Sequence, residues 1–167
     1  MTGAGVAELL LDLAEGDLAA RRSAVARLAA CGEPAVPDLV RFMAEDSDSD
    51  ARWYAASALA LIGAPSIGPL VAAIEENTDV QFRRYAAAAL GHIGEPAVRP
   101  LVAALKTKDP VARGFFAQAL CRVGKDAVPV LQTELGSADP EMRQYAALVL
   151  WQMGGEGIGP LLSGPGD

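Results

Sequence analysis

Residues 79–101 read Asp-Val-Gln-Phe-Arg-Arg-Tyr-Ala-Ala-Ala-Ala-Leu-Gly-His-Ile-Gly-Glu-Pro-Ala-Val-Arg-Pro-Leu, and the pattern of this stretch recurs along the chain. Counted back from Gly94, an Asp stands fifteen positions earlier, an Arg eleven and a Leu four. Each of these positions is filled by the same residue type five times, at steps of 30 or 31 residues. A period of this length is typical of arrays in which neighbouring units share one core.

Each unit is predicted to contain two short helices. The Asp caps the start of the second helix, and the Gly ends it with a left-handed residue. Beyond the Gly, a second apolar stripe and an early proline fit the start of the next helix. The repeated positions are Asp17, Asp48, Asp79, Asp109 and Asp139; Arg21, Arg52, Arg83, Arg113 and Arg143; Leu28, Leu59, Leu90, Leu120 and Leu150; and Gly32, Gly63, Gly94, Gly124 and Gly154.

We therefore predict an all-α fold, an α-α superhelix of five two-helix repeats and a partial sixth helix in a single domain, 1–167. The repeats cover about 4–32, 33–63, 64–94, 95–124 and 125–154, and the partial helix covers 155–164. The Asp and Arg of one unit are four residues apart on a helix, and stacking would extend them into a ladder of alternating charges. We interpret that ladder as architecture rather than as a catalytic site.

The motif at 79–101 resembles the HEAT repeat, in the short form of about 31 residues found in bilin-lyase-like proteins, and the resemblance spans residues 4–163. It implies a solenoid whose second helices line the concave side. Chain breakers follow Leu161 and Leu162, so the last repeat is expected to lack a full polar cap. Two explanations stay open: a short chain end, or a partner or second copy that covers Leu150, Leu161 and Leu162.

The composition excludes several classes of protein. The chain has 167 residues and is 51% apolar, enough for a continuous core. Its net charge of −7, from 14 basic and 21 acidic residues, disfavours a surface that binds duplex nucleic acid. No apolar run approaches the roughly 20 residues that cross a bilayer, and no basic-then-apolar leader opens the sequence. We expect a cytoplasmic protein that does not enter a membrane.

Catalytic and metal-binding groups are scarce. Cys31 and Cys121 are three repeats apart, on the order of 30 Å, so they cannot pair within one chain. His92 is the single histidine, too few for a zinc site. HEAT-type di-iron hydroxylases use several His-Glu pairs, whereas His92 is followed by Ile93. We predict no enzyme activity, no metal and no cofactor.

Function is expected where the repeats differ, on the outward positions of the second helices. Aromatic residues and arginine gather there, and both are enriched at protein hot spots. The aromatic column Tyr54, Tyr85, Phe115 and Tyr145 could instead pack between repeats with only its hydroxyls exposed. The predicted partner-binding residues are Arg22, Trp53, Tyr54, Arg84, Tyr85, His92, Phe115, Gln118, Arg122, Gln144 and Tyr145.

Three functions are compatible with these residues. The first is a non-catalytic scaffold or adaptor that binds a helix, loop or peptide of another protein in the concave groove. The second, implied by the resemblance, is an accessory subunit of a bilin lyase-type chromophore attachment system, whose groove arginines would bind tetrapyrrole propionates. The third is nucleic-acid binding through three groove arginines, which the overall charge opposes.

Overall fold

A computed structural model describes residues 3–154, and the side chains from residue 5 onward. Within these residues every regular element is helical, and ten α-helices form five consecutive pairs. The helices are α1 Gly3–Glu15, α2 Leu18–Cys31, α3 Val36–Glu45, α4 Ser49–Ile62, α5 Ile67–Glu76, α6 Val80–Ile93, α7 Val98–Ala104, α8 Pro110–Val123, α9 Val128–Glu134 and α10 Pro140–Gln152. The predicted all-α repeat fold is confirmed, while the partial sixth helix at 155–164 lies outside the described residues.

Every second helix begins at an Asp whose side chain accepts a backbone N–H of the first turn. In α4, for example, Ala51 N–H donates to Asp48 Oδ1 at 2.8 Å. Such caps satisfy amides that have no partner inside the helix. The N-caps predicted from the Asp column are present in all five repeats.

Helices α2, α4, α6 and α8 end at the repeated glycine, where the predicted conformation is only half right, whereas α10 ends at Met153, one residue before Gly154. At Gly94 φ is +82°, but ψ is −140° rather than the positive value of a left-handed helical residue. The extended ψ turns the chain directly into a short 3₁₀ turn, Glu95–Ala97, whose Ala97 N–H donates to the Gly94 carbonyl at 2.9 Å. Side chains rarely adopt this backbone conformation, which accounts for glycine in the column.

The core lies between the two layers of helices. The repeated leucines of the second helices are fully buried, and so are Leu39, Leu70, Leu101 and Leu131 of the first helices. Leu150, which we predicted near an open end, also packs in this core. Helix α10, which carries Leu150, packs on α9 of its own repeat and on α8 of the preceding repeat.

From α2 to α8 the second helices pack more closely on one another than the first helices do, whereas α8 and α10 are no closer than α7 and α9. Small residues permit this approach. Gly91 in α6 is buried against Arg122 of α8, and a Cβ at Gly91 would lie 2.7 Å from the Arg122 Cβ. The second-helix layer is therefore the tighter side of the stack.

The predicted charge ladder forms in the middle of the molecule, but it runs between repeats rather than along single helices. Arg52 donates to Asp79 at 2.7 Å and Arg83 to Asp109 at 2.5 Å. The ladder differs at its two ends. Nη1 of Arg21 lies 3.7 Å from Oδ2 of Asp50, and Asp139 pairs with Lys106 instead of an arginine, with Nζ and Oδ2 2.5 Å apart. Arg113 points away because it donates to the carbonyls of Leu105 and Thr107.

Helices α1 to α10 are all too short or too polar to cross a lipid bilayer, a finding that covers the described part of the chain.

Candidate binding surface

The outward positions of α2, α4, α6, α8 and α10 form one continuous face, called here the second-helix surface. The structure places all eleven predicted site residues in these helices. Seven are exposed to solvent and four are half-buried. The exposed residues are Arg22, Trp53, Arg84, His92, Gln118, Arg122 and Gln144; the half-buried ones are Tyr54, Tyr85, Phe115 and Tyr145.

The four half-buried aromatic rings pack against the core, so they connect repeats as well as face outward. The guanidinium of Arg21, one repeat earlier, lies 5.6 Å from the centre of the Tyr54 ring. Arg113 stands 4.3 Å from the Tyr145 ring in the same way. Cation–π contacts of this kind stabilise by about 0.5–2 kcal/mol. The packing interpretation of this column is therefore correct in part, and these rings contribute to the stack.

Trp53 differs from the aromatic column because 54% of its surface is exposed. Its ring meets Tyr54 edge to face, with the ring centres 4.9 Å apart. A contiguous exposed apolar patch marks a binding site more often than a single exposed side chain does, and Trp53 shares its surroundings with the exposed Leu61 of the same helix. Among the second helices, Trp151 of α10 is exposed as well, to 66%, but Trp53 is the one that borders a cleft between two repeats.

A cleft of about 260 Å³ lies between α4 and α6, and we call it the Trp53 cleft. Trp53 and Leu61 border it on α4, and Tyr85 and His92 border it on α6. Its floor is made of small residues: Ala56, Ser57, Ala60, Ala88 and Ala89. Because Trp53 and Leu61 are eight residues apart on a helix, the cleft extends about 12 Å along the helix axis.

A second hollow of about 190 Å³ lies between α2 and α4. Arg22, Val25, Trp53, Tyr54 and Ser57 line it. Trp53 borders both hollows, so its ring forms the wall between them. An occupant of the Trp53 cleft therefore has the Arg22 guanidinium one helix away.

Leu61 belongs to this surface but is missing from the predicted site. Its side chain is 66% exposed at the mouth of the Trp53 cleft. The corresponding residues in the other repeats are Ala30, His92, Arg122 and Gln152. An aliphatic residue in this otherwise small or polar outward column was the available signal.

Charge is divided between the two helix layers. The five second helices contain two carboxylates, Asp50 and Glu141, against nine arginines: Arg21, Arg22, Arg27, Arg52, Arg83, Arg84, Arg113, Arg122 and Arg143. The five first helices contain two arginines, Arg41 and Arg99, against eight carboxylates: Glu8, Asp12, Glu15, Asp38, Glu45, Glu75, Glu76 and Glu134. Two of the nine arginines, Arg52 and Arg83, are buried and paired with Asp79 and Asp109, so the positive charge on the second-helix surface comes from exposed arginines such as Arg22, Arg84 and Arg122.

Metal ligands and a reactive cysteine are the two kinds of catalytic group considered in the sequence, and both cysteines lie within residues 5–154. No cluster of three or more His, Cys, Asp or Glu side chains there could hold a metal ion. Burial raises the pKa of the Cys121 thiol, which makes the reactive thiolate scarcer. The Cys31 thiol donates to the Arg27 carbonyl of its own helix.

Comparison with known proteins decides the family. The sequence model for HEAT repeats matches residues 67–151, about half of the chain. The chain is a HEAT repeat protein. The family recognised in the motif at 79–101 is thus confirmed, and no curated protein matches this HEAT repeat protein significantly.

Three of the solved structures similar to this HEAT repeat protein are the following. One is from the complex of CpcE and CpcF of phycocyanin lyase from Nostoc sp. PCC7120, with 21% identity, a TM-score of 0.47, and coverage of 89% of this chain and 99% of that one. An engineered protein shares 21% identity over 99% and 91% of the two chains, with a TM-score of 0.37. A computationally designed armadillo repeat protein for modular peptide recognition shares 16% identity over 93% and 89%, with a TM-score of 0.33.

Proposed function

We propose that this HEAT repeat protein is a non-catalytic cytoplasmic scaffold that binds a helix, loop or peptide of another protein on its second-helix surface. The observation that carries the proposal is the exposed Trp53 ring beside an apolar cleft. Exposed aromatic and arginine side chains are the residues on which protein interfaces most depend. They lie on a rigid framework, which reduces the entropy lost on binding.

We place the binding groove on the concave side of the solenoid. From α2 to α8 the second helices are closer to one another than the first helices are. In a curved stack the closer layer lies on the inner side of the curve, and concave surfaces are those that solenoids use for binding. Solvent-accessible Arg22, Trp53, Arg84 and Arg122 are therefore proposed to line the groove.

A tetrapyrrole is the second candidate occupant. Arg22 and Arg84 are exposed on this surface and suit the propionates of such a molecule. The Trp53 cleft, at about 260 Å³, is smaller than the roughly 300–1,000 Å³ of most small-molecule pockets. Its size suits one or two side chains of a protein segment better, so we rank the scaffold function first.

The test is a selection from a displayed peptide library, followed by affinity measurements on the selected peptides. Trp53→Ala and Arg84→Ala are each expected to weaken binding by more than about 1 kcal/mol, since they remove the proposed anchors. The matched control replaces Glu75 and Glu76, exposed on α5 of the first-helix layer, by Ala. This double variant is expected to bind as the wild type does.

Other outcomes would contradict the proposal. If the Glu75 and Glu76 changes weaken binding while Trp53→Ala and Arg84→Ala do not, the first-helix face is the binding surface. If no peptide is selected, and a bilin shows an absorbance shift on mixing that Arg84→Ala abolishes, the tetrapyrrole function replaces the scaffold.

A further inference from the structure

The charges around the Trp53 cleft indicate what kind of segment binds there. Arg22, Arg84 and Arg122 are exposed on the second-helix surface. Within the described residues, none of these three guanidinium groups has a carboxylate at ion-pair distance. They differ in this respect from Arg52 and Arg83, which are buried and pair with Asp79 and Asp109.

The exposed arginines lie close to the apolar cleft. Arg22 lines the hollow on the other side of the Trp53 ring. Arg84 precedes Tyr85 of the cleft wall, and Arg122 packs its aliphatic stem over Gly91, next to His92. The cleft itself is lined by apolar and small residues, with His92 at its edge. None of the three arginines lines the cleft itself, but each extends from a position next to it, on α2, α6 or α8.

We propose that the bound segment is acidic and has one large apolar side chain, which enters the Trp53 cleft while flanking carboxylates bind Arg22, Arg84 and Arg122. This proposal rests on the scaffold function and specifies the chemistry of the partner. Arginine binds a carboxylate through two parallel hydrogen bonds, so each contact adds direction as well as charge. Burial of the apolar side chain supplies the non-directional part of the affinity.

A short acidic segment fits this surface better than a nucleic acid does. The three arginines are on different helices, about 9–10 Å from one layer to the next, so they do not form the dense cationic cluster that a phosphate backbone requires. The eight carboxylates of the first-helix layer and the negative net charge also oppose the approach of a long polyanion. Each carboxylate of a bound segment interacts mainly with the arginine that it contacts, because the Debye length at physiological ionic strength, about 8 Å, is shorter than the spacing between layers.

The experiment uses the emission of Trp53 as a direct report on the cleft. The chain has two tryptophans, Trp53 and Trp151, so the full chain with Trp151→Phe has Trp53 as its single indole. Three synthetic peptide pools of equal length are titrated into it. The acidic pool has a central Leu or Phe flanked by Asp and Glu, the amide pool replaces each Asp and Glu by Asn and Gln, and the alanine pool replaces the central residue by Ala.

The acidic pool is expected to shift the Trp53 emission to shorter wavelength and to bind about tenfold more tightly than the amide or the alanine pool. High salt should reduce the advantage over the amide pool, because the Debye length falls to about 3 Å at 1 M. Arg84→Gln should also remove most of the affinity advantage of the acidic pool over the amide pool. Arg99→Gln, at an exposed arginine of α7 in the first-helix layer, is the matched control and should retain it.

The outcomes distinguish this proposal from the scaffold function. If the amide pool binds as tightly as the acidic pool, or Arg99→Gln acts like Arg84→Gln, the acidic partner is wrong and the scaffold stands. If no pool alters Trp53 emission while single-stranded DNA does, both proposals are wrong. Concentration-dependent self-association that Arg84→Gln abolishes in the absence of peptide would identify a second copy as the occupant, and would overturn the acidic segment.

Discussion

Arg83 and Asp109 connect the third repeat to the fourth: Nη2 of Arg83 donates to Oδ2 of Asp109 at 2.5 Å. The same guanidinium donates through Nε to the Asn77 carbonyl at 2.6 Å, at the end of α5. Asp109 in turn accepts from Val111 N–H with its other oxygen, Oδ1, at 2.8 Å. One buried arginine thus joins a loop, a helix start and two repeats, which explains why the charge ladder is structural.

The ladder predicts a loss of stability in acid. The Arg52 guanidinium holds the pKa of Asp79 below its ordinary value, and Arg83 and Lys106 do the same for Asp109 and Asp139. The folded chain therefore binds fewer protons at these carboxyls than the unfolded chain does. Their stabilisation is present above the unfolded value, about pH 4, and is lost as the pH falls through the lower folded values.

Asp79→Asn tests this effect, because asparagine can still cap α6 but cannot form the ion pair with Arg52. We expect a lower melting temperature than the wild type near neutral pH, and a smaller difference in acid. Asp17→Asn is the matched control: Asp17 caps α2 through Ala20 N–H, and no described arginine lies at ion-pair distance from it. Equal effects of the two changes at neutral pH would show that the ion pair adds nothing to the cap. Urea unfolding at several pH values measures both.

Leu90→Ala is expected to lower the free energy of unfolding by about 2–5 kcal/mol. Leu90 is fully buried in the central repeat, so truncation leaves a cavity in the shared core. Leu61→Ala removes the same atoms from a side chain that is largely exposed, and should stay within about 0.5 kcal/mol of the wild type. Thermal or urea melts compare the two variants, and similar losses in both would contradict the described packing.

Two helical glycines should respond oppositely to alanine. At Gly114 a Cβ would meet nothing within 4 Å, so Gly114→Ala should stabilise by about 0.5–1 kcal/mol through helix propensity. At Gly91 the new methyl would lie 2.6–2.9 Å from Arg122 carbons. Gly91→Ala should therefore destabilise by forcing α6 and α8 apart. Urea unfolding decides the signs, and stabilisation by Gly91→Ala would show that the two helices separate easily.

The proposed anchors should contribute little to folding. Arg84→Ala is expected to change the free energy of unfolding by less than about 0.5 kcal/mol, because its side chain is exposed. Trp53→Ala should lose up to about 1.5 kcal/mol, since it removes the edge-to-face contact with Tyr54. Melting curves check both values. A larger loss would make Trp53 a packing residue, and a binding defect of the variant would then be indirect.

The sequence by itself determined the repeat, its helix boundaries and its core. The Asp column begins the helices and the Gly column ends them because caps and positive φ depend on residues adjacent in the chain. Leu90 and its equivalents could be placed in the core because helical periodicity decides which side faces inward. These properties depend on residues that are close in the chain, and their repetition in five units makes them predictable without a structure.

The tertiary structure alone decided how the repeats meet. Arg83 pairs with Asp109 of the next repeat, whereas Arg113 donates to the Leu105 and Thr107 carbonyls. Which partner each arginine finds depends on the positions of the neighbouring helices. The Trp53 cleft is likewise shared by α4 and α6, so neither helix alone could show that Leu61 borders it. Contacts between units depend on the distance and rotation of one repeat relative to the next. The sequence of a single repeat does not determine either quantity.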